Sequence, residues 1–150
     1  MTGSTSCPWF MSLALLLNRL SLGVYFLWEG VKKIHGGVQA FYDGTFTNLR
    51  PAWLPDWFAV PYGHAVPFAE TILGAMLIVG LLGRVASGAL FLMMLSFTIA
   101  VYSAGPVSGP GPYHTNVVFA TLALLLMATG SGRLSLDALL CRREKGDSAE

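Results

Sequence analysis

Charge is what this sequence has least of. Asp, Glu, Lys and Arg make up 11% of its 150 residues, under half the roughly 25% usual in soluble domains. So few charges cannot cover a water-facing surface, and a mean hydropathy of +0.60 points the same way. The charges nearly balance, at a net +1 with no basic block, which excludes nucleic acid as a partner. Cysteine is almost missing. Cys7 and Cys141 stand near opposite ends of the chain, outside the apolar runs, with neither CxxC nor metal-ligand spacing. Neither a disulfide framework nor a metal site is therefore expected. HExxH, a nucleophile elbow, a phosphate loop and a dinucleotide-binding glycine pattern are all absent, so no catalytic residue can be named from a motif.

What remains is apolar sequence in long runs. A hydrocarbon core of about 30 Å needs about 20 such residues in helix, and within lipid only helices or closed barrels satisfy their own backbone. Four stretches qualify: 10–34, 61–83, 85–105 and 115–132. The expectation is a single all-α domain, an integral-membrane bundle of four transmembrane helices, with an outer segment at 35–60 and a tail at 133–150. The start MTGSTSCPWFMS lacks the basic residues of a secretory signal, so the first run reads as a retained span. Arg84, Arg133, Arg142, Arg143 and Lys145 fall on one side, against Lys32, Lys33 and Arg50 on the other. That asymmetry places both termini in the cytoplasm.

The outer segment is unlike a plain linker. Val38, Phe41, Tyr42, Thr45 and Leu49 share one helical face, which suits a short helix at the membrane surface. Trp53, Trp57 and Phe58 follow among Pro51, Pro55 and Pro61, as an aromatic anchor at headgroup level or a lid over a site.

Charges inside the spans are the candidates for function, because ionisable groups at depth usually face the bundle interior. Arg19 lies about 10 Å into the first span. It either snorkels to the headgroups or pairs with Glu70, near the middle of the second. Arg19, Gly23, Phe26, Gly30 and Lys33 form one helical stripe, in which the glycines admit a close neighbour. Arg19, Lys33 and Glu70 are thus candidates for fixing register. Glu29 precedes Lys33 by four residues, a favourable helical pair. His64 and His114 gather at the same end. Apolar walls with a few convergent polar groups suit a small molecule, which makes Glu29, His64, Glu70 and His114 the candidate ligand and proton-handling residues. His64, Thr71 and Gly80 recur fifty positions on as His114, Thr121 and Gly130, an echo that fits two repeated hairpins.

The stretches RLSLGVYFLWEGVKK, ETILGAMLIVGLLGR and ATGSGRLSLDALL resemble the DoxX family, related to the DoxD subunit of thiosulfate:quinone oxidoreductase. The matching positions are Arg19, Gly23, Gly30, Lys33, Glu70, Gly80, Arg84, Gly132, Arg133, Ser135, Leu136 and Asp137. Read on its own, Ser135 caps a short helix with Asp137 in its first turn. The resemblance implies a bacterial or archaeal inner-membrane protein, a small subunit or accessory of a quinone-linked redox system. Quinone is then the cofactor to consider, with none held covalently. The bilayer is the first expected partner; a redox subunit and further copies of the chain are candidate protein partners. A non-catalytic membrane scaffold is the main alternative, and a small transporter a weaker one.

Overall fold

Lipid-soluble sequence must satisfy its backbone within each segment, and the described chain does so entirely with helices. The computed structural model describes residues 8–103 and 112–130. Helix α1 spans Pro8–His35. A short helical roof follows, built from α2 at Val38–Phe41, a π turn at Tyr42–Phe46 and α3 at Thr47–Leu49. Helices α4 (Asp56–Val79), α5 (Gly83–Ser103) and α6 (Pro112–Thr129) complete the order. No strand occurs among the described residues. Trp9–His35, Asp56–Val79 and Gly83–Ser103 are each long and apolar enough to cross a membrane, whereas the apolar part of α6, His114–Thr129, is shorter.

Helix α4 starts at Asp56, five residues ahead of the boundary expected at Pro61. Pro55 is extended, at ψ 146°, and sets the turn; Asp56 then places a carboxylate in the first turn, where the helix dipole favours it. Pro61 and Pro67 are both accommodated inside the helix. Gly80 and Gly130 end α4 and α6 with left-handed φ of 75° and 83°. Each donates its amide at 2.8 Å to the carbonyl four residues back, the conformation for which glycine is suited. The recurring glycines of the echo therefore perform the same local task.

Two glycines set how α1 meets α4. A Cβ on Gly74 would overlap the backbone of Leu27, and one on Gly30 would overlap that of Thr71. The backbones therefore touch, as at small-residue helix interfaces in membranes. Gly23 faces Gly74 and Ile78, while Gly30 faces Pro67 and Thr71, which fixes an antiparallel register. Helix α6 joins this pair through Asn18, which donates to the Leu122 carbonyl at 3.2 Å. Phe26 and Phe119 meet edge to face at 5.4 Å. Leu22, Leu77, Leu90, Met94, Ala123 and Leu126 close the core. Large apolar side chains such as Trp28, Ile72 and Leu92 remain exposed on the outer faces of the spans, as contact with a bilayer requires.

Candidate functional site

The register has a direct electrostatic consequence. Lys33, one turn beyond Gly30 on α1, sends its side chain down to Glu70 on α4. Its Nζ lies 2.6 Å from both carboxylate oxygens. Glu70 is 2% exposed and Lys33 22%, so the carboxylate is buried and the ammonium covers it. The Lys33 Nζ also sits 5.0 Å from the centre of the Phe41 ring in the roof, a favourable cation–ring contact.

The pairing expected between Arg19 and Glu70 does not form. Arg19 precedes Gly23 by one turn, about 6 Å farther from the Glu70 level, because Gly23 already faces Gly74 and Ile78. Arg19 is nonetheless buried, at 3% exposure. Glu29 likewise pairs with Lys32, at 2.6 Å, rather than with Lys33, whose ammonium is held across the helix interface.

Above the Lys33–Glu70 pair lies a cavity of about 360 Å³. Its roof is Phe41, Thr45, Phe46 and Leu49, followed by Arg50, Trp53 and Leu54. Its walls are Phe58 and Tyr62 from α4, Ser96, Phe97 and Ala100 from α5, and Asn116 from α6, with Lys33 at its edge. The lining is almost all carbon. Both cations on it are matched: Lys33 by Glu70 and Arg50 by Asp56, at 2.6 and 2.5 Å. The Asp56 carboxylate, by accepting from Arg50, pushes the guanidinium above its ordinary pKa. Tyr62 and Ser96 bond hydroxyl to hydroxyl. Ser96 donates to the Met93 carbonyl at 2.7 Å, so the Tyr62 hydroxyl is the donor to Ser96.

Of the candidates named from sequence, Glu70 reaches the cavity only through Lys33, and Glu29 lies on the neighbouring face of α1 beside Lys32. His64 sits behind the roof, stacked on Tyr42 at 4.6 Å. His114 is exposed at the start of α6, and the cavity is lined two residues on, by Asn116. The helical face expected in the outer segment divides. Phe41, Thr45 and Leu49 point into the cavity, while Tyr42 turns toward α4 because the π turn inserts an extra residue at that point. Tyr42 and Phe46 fill the space a side chain at Gly63 would occupy. Arg84 lies against Gly130, tying α5 to the end of α6. Arg133, Ser135 and Asp137 lie outside the described residues. The sequence reading missed Phe97 and Ala100, whose spacing in uninterrupted apolar runs does not separate a cavity face from a lipid face. Among the described residues no three metal-ligating side chains come together.

A family model described as DoxX matches residues 14–103, more than half of the chain. No curated protein and no solved structure matches it. That match covers most of α1, the roof, α4 and α5, and so contains the Lys33–Glu70 pair and most of the cavity; the chain belongs to the DoxX family.

Proposed function

We propose that this protein is a four-span inner-membrane subunit of a bacterial quinone-linked redox system, and that the cavity under the roof receives the quinone. The observation that carries the reading is the charge balance of an otherwise apolar cavity. Each cation on its lining is matched by a carboxylate, so the lining offers no spare charge to an anion. A neutral, largely carbon molecule with hydrogen-bonding oxygens fits that environment. The volume falls in the range of small-molecule pockets, roughly 300–1,000 Å³. Lys33 spends two of its three N–H groups on Glu70 and retains one. The Asn116 side-chain amide supplies donors from the opposite wall. A quinone would supply the electron chemistry; the chain would supply position, an apolar enclosure and hydrogen bonds. In this reading α6 is the fourth crossing, since its 18 residues reach about 27 Å.

A second reading is a membrane scaffold. It is favoured by the Gly30 and Gly74 contacts and the buried ion pair, which lock α1 to α4 whatever the cavity holds. Purification in mild detergent, followed by lipid extraction and mass spectrometry, separates the two. The quinone reading expects near-stoichiometric quinone with the wild type and little with Ala100→Phe, which fills the cavity. A co-purifying protein and no quinone in either would establish the scaffold.

A further inference from the structure

We propose that Gln39, Asp43 and His64 form a proton-binding site that latches the roof to α4. The argument is a count of hydrogens. His64 Nδ1 lies 2.8 Å from the Val60 carbonyl, and Nε2 lies 3.0 Å from the Gln39 side-chain amide. The other end of that amide lies 3.0 Å from both oxygens of Asp43. The Val60 carbonyl only accepts, so Nδ1 carries a hydrogen. An ionised Asp43 only accepts, so Gln39 presents its NH₂ to Asp43 and its oxygen to His64. Nε2 must then carry a hydrogen as well. The complete chain therefore holds one proton more than a neutral imidazole beside an ionised carboxylate. Turning the Gln39 amide over moves the requirement to Asp43 without removing it.

The titratable groups facing His64 from the roof are Asp43, through the amide, and Tyr42, whose ring stacks on it at 26°. From α4 it meets its own Val60 carbonyl. None of the ion pairs among the described residues includes His64. When the extra proton leaves, either the bond from Gln39 to His64 or that from Gln39 to Asp43 must break. The Gln39–His64 bond ties the segment that carries Phe41, Thr45 and Phe46 to α4, and the Gln39–Asp43 bond braces that segment internally. Losing either one loosens residues 38–49. The site works in this way whatever the cavity binds, so its test stands apart from the quinone reading.

Hydrogen–deuterium exchange of residues 38–49 in the full chain, held in lipid nanodiscs, reads the latch directly. Imidazole is the side chain suited to titrate between about pH 5 and 8. After correction for intrinsic exchange, the wild type is expected to be about fivefold more protected at about pH 5.5 than at about pH 8, the factor of one ordinary hydrogen bond. His64→Phe keeps the ring stack but is expected to exchange fast at both values. Asp43→Asn is expected to exchange slowly at both, because its amide can donate to Gln39 and complete the chain with neutral imidazole. Equal protection of the wild type at both values would overturn the proposal. So would a wild-type pH difference that survives in Asp43→Asn or in His64→Phe.

Discussion

The Lys33 ammonium bridges both oxygens of Glu70, joining the end of α1 to the middle of α4. The two partners differ in burial, at 22% and 2% exposure, and that difference sets what each substitution does. Lys33→Met leaves a carboxylate without its counter-ion in the core, where breaking a buried pair costs about 3–5 kcal/mol. Glu70→Gln leaves a lysine with a long stem that can turn toward the headgroups, so a smaller loss is expected. Lys33→Met with Glu70→Leu should recover much of the deficit, since a well-packed apolar pair often replaces an ion pair at little cost. Unfolding midpoints of the three variants in mixed micelles test the order.

Glycine substitutions should sort by what a new methyl group meets. At Gly74 and Gly30 it meets backbone of the partner helix, so alanine forces the helices apart, at about 1–3 kcal/mol for overpacking. At Gly44, in the π turn, nothing lies within 4 Å. Gly44→Ala is expected to be neutral or slightly stabilising. Thermal unfolding of the three single variants checks the contrast, and equal losses at all three would refute the α1–α4 contact.

Neutral-ligand preference should reverse when a matching carboxylate is removed. Asp56 is largely exposed and holds Arg50 at the cavity. Asp56→Asn leaves the guanidinium without its counter-charge, so an anionic amphiphile such as decanoate should gain affinity relative to a neutral quinone. Isothermal titration of both ligands against both proteins measures the change. An unchanged ratio would mean that Arg50 does not face the occupant.

Sequence alone made the helical architecture legible, because apolar runs in lipid have few alternatives to helix. It also picked out the stripe of Gly23, Gly30 and Lys33, since helical spacing survives in the fold. The choice of partner for Glu70 was not legible. It depends on how far two antiparallel helices slide, and Gly74 sets that stop as much as Gly23 and Gly30 do. Without Gly74 in the count, Arg19 and Lys33 are equivalent cations at two ends of one stripe. The π turn was hidden for a related reason: it moves Tyr42 off the face shared by Phe41 and Thr45, and its glycine, Gly44, has neither a positive φ nor a close neighbour to mark the place.

Trp53 lies on the cavity lining, which makes its fluorescence the most direct probe of the proposed occupant. Titration of the purified protein with a short-chain benzoquinone is expected to give saturable quenching at one molecule per chain. Trp53→Phe should remove that saturable component, and Ala100→Phe should abolish binding while leaving the unfolding midpoint close to that of the wild type. Linear, non-saturating quenching of equal slope in all three proteins would contradict a quinone site beneath the roof.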